Sequence, residues 1–257
     1  MIKWIVQEDL YNESGYARLI DALNHYDQDY ESVKVIPFAH ELIPDANYSD
    51  PVLAMGSTSL MGVSEKKGWK PGIFAGPNFD FRVWRKHLGD LLLNYDAEVI
   101  PFGDIKVEGD EVFFCRPIFD FKEFAGTVVD ADTFNSWQEK AVAYGDTLNG
   151  DTLVIKSTPK RIDKEYRVFV VDGKISTSSQ YKVGTRVISD ENVPNEVHDF
   201  VISVIGIWEP ASAYVIDVAK VDDDFKIIEY NCLNSSGFYA ADCKKLVKSL
   251  VDYVNST

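Results

Sequence analysis

Near residue 100 the hydrophobic pattern of this chain changes, and two kinds of architecture follow from the change. Before it, short apolar runs alternate with amphipathic stretches: Ile2–Val6 reads as a strand, and Glu13–Tyr26 as a helix with Tyr16, Leu19, Ile20 and Leu23 at helical spacing. Ser32–Pro37 and Val52–Met55 read as further strands, and Phe81–Leu93 repeats the helical pattern with Val83, Trp84, Leu88, Leu91 and Leu92. This β-α-β order predicts a small open α/β domain ending near Pro101. From Ile105 the texture is α+β. Glu111–Cys115 and Leu153–Lys156 read as strands around a helix over Thr133–Tyr144, with Asp132 as its N-cap. Two hairpins follow, with a helix over Glu196–Ile207 between them and a last helix over Ala240–Val254. The expected organisation is an α/β domain over 1–104 and an α+β region over 105–257, divided at about residue 150 into two subdomains.

Charge narrows the choice of partners. The 257 residues carry 26 basic and 41 acidic side chains, a net charge of −15, which repels phosphate backbones and anionic headgroups. Nucleic acid and membrane surfaces are therefore unexpected partners. The longest near-apolar run, Phe200–Trp208, is too short to cross a bilayer. Cys115, Cys232 and Cys243 form no C-x-x-C and cannot all pair, which suits a reducing, cytoplasmic setting. The four histidines lack ligand spacing, so a structural zinc site is not expected. Gly56-Ser57-Thr58 follows a strand, but Val63 stands after Gly62 where a phosphate loop needs lysine.

The second hairpin is the most informative segment. Ala213–Val221 and Phe225–Cys232 flank Asp222-Asp223-Asp224, and a three-residue loop there sets Asp217 directly opposite Glu229. Asn231 falls on the same face as Glu229. Two carboxylates facing each other repel, and Asp217 interrupts an otherwise apolar strand. A divalent cation held by oxygen ligands would offset that repulsion; solvation on an exposed face is the alternative. In the first hairpin, Lys164–Val171 and Lys174–Tyr181 flank the turn Asp172-Gly173. That turn predicts Glu165 opposite Gln180 and Arg167 opposite Ser178. A guanidinium fixed there can orient a polyphosphate, or can serve as the partner of Glu165 on a half-exposed sheet. Arg116-Pro117, Lys122 and the Phe124-Ala125-Gly126 turn form a further cationic cluster, and Lys156 ends an apolar strand.

In this order, Arg116-Pro117 with Lys122-x-Phe124-x-Gly126, Glu165-Tyr166-Arg167, Ser179-Gln180-Tyr181, Asp217 with Glu229-x-Asn231, and Gly237-Phe238-Tyr239 resemble the ATP-grasp superfamily. They are most similar to its clade named for two arginines and a lysine, many of whose members are encoded by phages and bacteria. The resemblance covers about residues 105–245. It implies a two-subdomain clasp for ATP preceded by a pre-ATP-grasp-like domain. Asp217, Glu229 and Asn231 would hold Mg²⁺, and Arg116, Lys122 and Arg167 would contact ATP. The strand of Lys156 would support adenine, and Glu165 would meet the ribose or position Arg167. Arg116 and Arg167 would be the catalytic residues. The implied reaction is an ADP-forming ligation of a carboxylate to an amine, on small molecules or peptides in a bacterial or phage-infected cytoplasm. The alternatives are a phosphotransferase built on the same clasp and a non-catalytic nucleotide-binding or partner-blocking protein.

Overall fold

The computed structural model describes residues 2–8, 13–36, 39–119, 123–145 and 147–257. Among them, strands form three sheets. The first unit runs β1 (Lys3–Gln7), α1 (Glu13–His25), β2 (Asp29–Ile36), β3 (Glu41–Ile43), β4 (Val52–Met55), α2 (Thr58–Lys67) and β5 (Pro71–Gly72). Its strand order is β3-β2-β1-β4-β5. β1 pairs in parallel with β2 and β4, β4 pairs in parallel with β5, and β3 is an antiparallel edge. Trp4, Ile5, Val6 and all four residues of β4 are buried, as central parallel strands covered on both faces require. The open α/β reading of this region therefore holds.

The next elements are α3 (Phe81–Leu88), β6 (Glu98–Pro101), β7 (Val112–Pro117), β8 (Thr127–Asp130), α4 (Ala131–Tyr144) and β9 (Leu153–Ser157). They form a four-stranded sheet in the order β6-β9-β7-β8. Two sequence expectations change here. Helix α3 stops at Leu88, because Gly89 turns into the left-handed region at φ 52°, and Leu93 then donates its N–H to Ile227 at 2.8 Å. The cap of α4 is Asp130, whose carboxylate accepts from the Thr133 N–H at 2.8 Å; Asp132 already lies in the first turn. Residues 81–101 consequently pack and pair with the later sheets, and β6 joins β9 rather than the first sheet.

The remainder comprises β10 (Lys164–Val171), β11 (Lys174–Val183), β12 (Arg186–Asp190), α5 (Asn195–Ile205), β13 (Ala213–Val221), β14 (Asp224–Asn231) and α6 (Cys243–Ser256). The strand order is β12-β11-β10-β13-β14, antiparallel throughout. One face of this sheet (Phe169, Val171, Ala213, Val215) packs with Leu246 and Val247 of α6 and with Leu19 and Leu23 of α1. The other face (Val168, Val170, Ile216, Val218) packs with α5 and with Trp84 of α3. Each fully buried aliphatic side chain contributes roughly 1.5–3 kcal/mol, so these two faces fix the sheet's position.

Both hairpins deviate from simple counting. Asp222 and Asp223 alone make the second turn, with Val221 opposite Asp224; an extra residue at Ile228 then shifts the pairing so that Asp217 does face Glu229. In the first hairpin, Asp172 (φ 51°) and Gly173 (φ 67°) form the expected tight turn. Bulges near Ser176 and Tyr181 then set Arg167 opposite Ser179 and Glu165 opposite Lys182, correcting the partners Ser178 and Gln180.

Asn234, just after β14, joins the first sheet to the rest. Its amide donates to the carbonyl of Ala54 at 2.6 Å and accepts from the Phe74 N–H at 2.8 Å, while the Gly56 N–H donates to its backbone carbonyl at 2.9 Å.

Candidate active site

The register of β10 against β13 sets Arg167 opposite Asp217. The guanidinium grips the carboxylate with both arms, Nε to Oδ1 at 2.9 Å and Nη2 to Oδ2 at 2.7 Å, and Nη1 donates to the Gly237 carbonyl at 3.2 Å. The pairing of Arg167 with Glu165, weighed from sequence, does not form. Glu165 instead accepts from the Tyr181 hydroxyl and the Lys182 ammonium, each at 2.7 Å.

Across the hairpin, Asn231 Nδ2 donates to Asp217 Oδ2 at 3.2 Å and to Glu229 Oε1 at 3.1 Å, binding the two carboxylates to one amide. Arg116 arrives from β7 of the four-stranded sheet, and its Nη1 meets Glu229 Oε2 at 2.7 Å. Its guanidinium lies 5.0 Å from the Trp84 ring, a cation–π contact that helps a buried charge persist. The repulsion expected between Asp217 and Glu229 is thus met by two guanidiniums, one on each carboxylate. Burial raises the Asp217 carboxyl above the ordinary carboxylate range; Arg167 pulls it back and Glu229 adds to the rise.

Behind Arg167 lies an aromatic wall. Tyr181 and Tyr239 stack at 4.9 Å, and the guanidinium carbon of Arg167 sits 5.6 and 5.2 Å from their centres. Burial pushes the Tyr181 hydroxyl far up, helped by the negative charge of Asp217 and Glu165. Tyr239 occupies the left-handed region at φ 47°. Its carbonyl, and that of Ala241 at 3.1 Å, accept from Arg18 of α1.

Two cavities meet at this cluster. The larger, about 1190 Å³, lies between the four-stranded sheet and the β10–β14 sheet and is bounded by Phe114, Arg116, Lys160, Lys164, Glu165 and Glu229. The smaller, about 410 Å³, shares Arg116 and Glu229 with it and adds Arg167, Asn231, Phe119 and Ser236. Gly126 borders both. A Cβ there would lie 2.8 Å from the Phe114 ring, so the packing leaves no room for a side chain at this position.

Of the residues singled out by sequence, Arg116, Arg167, Asp217, Glu229 and Asn231 converge, with Glu165 on the wall of the larger cavity. Lys122 lies outside the described residues. Lys156 is placed elsewhere: strand alternation turns it to the face of Cys115, opposite Arg116. There it binds Glu111 at 2.7 Å and lies over Phe113 at 4.8 Å. Sequence reasoning missed Lys160, Lys164 and Lys182. The available signal was the density of cations in Lys160, Arg161, Lys164 and Arg167, four within eight residues.

Among the described residues, no three His, Cys, Asp or Glu side chains converge. Glu229 borders both cavities, and the Asn231 amide joins it to the buried Asp217, an oxygen-rich donor set of the kind a hard divalent cation takes.

Several solved structures share this fold along nearly the whole chain. D-alanine–D-alanine ligase from Bacillus anthracis superposes with a TM-score of 0.62 at 14% identity, covering 99% of this chain and 97% of its own. D-cycloserine synthetase DcsG gives 0.61 at 10% identity, covering 99% and 100%. The ATP-grasp ligase PsnB, solved with a minimal precursor, Mg and ADP, gives 0.54 at 12% identity, covering 99% and 98%. At such identities the likeness concerns the fold, and the fold is that of ATP-grasp ligases. The chain belongs to an ATP-grasp domain family, the third family of the clade named for two arginines and a lysine, whose sequence model matches residues 40–250. No curated protein matches the sequence significantly.

Proposed function

We propose that this protein is an ATP-dependent, ADP-forming carboxylate–amine ligase that uses Mg²⁺ and works through an acylphosphate of an amino acid or peptide. The observation that carries the reading is the convergence of Arg116, Arg167, Asp217, Glu229 and Asn231 where the two cavities meet. Related folds supply the precedent: D-alanine–D-alanine ligase has been solved with ATP, and PsnB with Mg and ADP. The larger cavity has room for a nucleotide, and the smaller, with its phenylalanine wall, for the carboxylate that accepts the γ-phosphoryl group. The first sheet with α1 and α2 is proposed as the pre-ATP-grasp unit, its strand ends, tied to Asn234, bordering the amine side; residues 81–104, grouped with it from sequence, go with the later sheets.

In this reading a carboxylate oxygen attacks the γ-phosphorus and ADP departs. The amine nitrogen then attacks the acyl carbon, phosphate departs and the nitrogen loses one proton. Asp217, Glu229 and Asn231 would hold the cation, which when bound neutralises charge on the transferring phosphoryl group. Arg116 and Arg167 supply fixed positive charge where negative charge develops, and their own pairings pre-orient them. No side-chain nucleophile is required. Glu165, held by Tyr181 and Lys182, offers a carboxylate to a ribose hydroxyl. Incubation with Mg-ATP and pooled amino acids and peptides tests the proposal: ADP, phosphate and an amide mass should appear together. A phosphorylated acceptor without free phosphate would convert the assignment to a phosphotransferase.

A further inference from the structure

We propose that Arg116 is the resident counter-cation of Glu229, exchanged when ligands bind, so that the cluster admits a divalent cation only together with a polyphosphate. The inference deepens the proposed function and rests on it for the identity of the polyphosphate.

Asp217 and Glu229 contribute two negative charges, and Arg167 and Arg116 two positive ones, each guanidinium in direct contact with one carboxylate. These four side chains sum to zero charge. A divalent cation alone would leave two uncompensated positive charges beside Asp217, which is only 1% exposed, and charge in such a place is costly. A polyphosphate arriving with the cation removes that cost and offers Arg116 new oxygen partners.

The two arginines are not equivalent. Arg167 holds Asp217 with both arms, is anchored to the Gly237 carbonyl and backs onto two tyrosines. The Asp217 side chain is 2% exposed, which makes this pair a fixed element. Glu229 is 28% exposed at the side chain and faces both cavities. Its contact with Arg116 also joins the β10–β14 sheet to the four-stranded sheet across the cleft. Moving Arg116 from Glu229 to a phosphate oxygen frees that carboxylate for the cation and leaves the Arg167–Asp217 pair intact.

The consequence has an unusual sign. Removing a cation that serves nucleotide binding should improve the affinity for Mg²⁺ alone. The test is calorimetric titration of the full chain with Mg²⁺ in the absence of nucleotide. Arg116→Met keeps an apolar stem against Trp84 and removes the charge, and Arg116→Gln is the second variant should the first fail to fold. Wild type should bind Mg²⁺ alone weakly, and the variant at least tenfold more tightly, about 1.4 kcal/mol. Arg116→Met combined with Glu229→Gln should return to the wild-type value. A folded variant that binds Mg²⁺ no more tightly than wild type overturns the proposal. If the variant gains Mg²⁺ affinity while wild type binds Mg²⁺ equally well with and without a non-hydrolysable ATP analogue, the counter-cation role stands and the nucleotide reading falls.

Discussion

Arg167 and Asp217 occupy directly paired positions on neighbouring strands, and the guanidinium closes on both carboxylate oxygens at 2.9 and 2.7 Å. A buried pair of this kind adds little over apolar residues of equal volume, yet breaking it from one side strands a charge. Asp217→Ala should therefore destabilise the protein by about 3–5 kcal/mol. Pairing it with Arg167→Met should recover much of the loss, and urea denaturation of the three proteins measures the difference. Losses that simply add would show that the two groups do not depend on each other.

Arg167→Lys keeps the charge and loses the planar fork. We expect at least a tenfold fall in ATP turnover, about 1.4 kcal/mol of transition-state stabilisation, in a protein whose circular dichroism matches wild type. Wild-type turnover in that variant would remove Arg167 from the proposed chemistry.

Glu229 should be the carboxylate on which metal and nucleotide depend jointly. Mg²⁺ with an ATP analogue should raise the melting temperature of wild type, and Glu229→Gln should lose most of that rise. An undiminished shift in the variant would dismiss Glu229 as a metal ligand.

His198, on the helix that covers the Val168 face of the sheet, supplies a separate pH signature. Its Nε2 lies 2.9 Å from the Ser178 hydroxyl, and burial lowers its pKa below the ordinary 6.5, with Asp199 pulling the other way. The folded protein therefore binds this proton less readily than the unfolded chain. The resulting stability is complete above pH 6.5 and is lost as pH falls through the lowered folded value. His198→Gln should flatten the acid limb of a stability-against-pH curve. Parallel curves for the two proteins would contradict this.

The cysteines should be silent until the chain unfolds. All three are buried, and burial pushes the Cys115 thiol up to about 12 and the Cys243 thiol to about 11. An alkylating reagent near neutral pH should label none in the native protein and all three in denaturant. Rapid native labelling of Cys115 would mean that the four-stranded sheet opens readily.

Sequence carried the periodic and the local parts of this structure. The buried parallel strands around Trp4–Val6 and Val52–Met55 were legible because both faces of each strand are apolar. Asp217 and Glu229 were correctly placed face to face, but through two compensating errors: the turn has two residues instead of three, and the bulge at Ile228 restores the register. No compensation occurred in the first hairpin, so the partners of Arg167 and Glu165 shifted. Bulges leave no periodic trace in a strand, and that is where counting fails. Long-range pairs were illegible for another reason. Nothing in the local pattern tells that Arg116 meets Glu229, 113 residues away, or that Lys156 turns toward Glu111.

The reach of Arg18 to the carbonyls of Tyr239 and Ala241 has a practical corollary for dissecting this protein. Arg18, Trp4 and the whole of α1 precede the matched segment 40–250, yet the loop they brace carries the ring that backs Arg167. A chain trimmed to the matched segment would keep every side chain of the charged cluster and lose the external brace that holds Tyr239 in its left-handed turn. An inactive fragment would then reveal a broken scaffold and nothing about the chemistry, so function in this family member has to be dissected by point substitution in the intact chain.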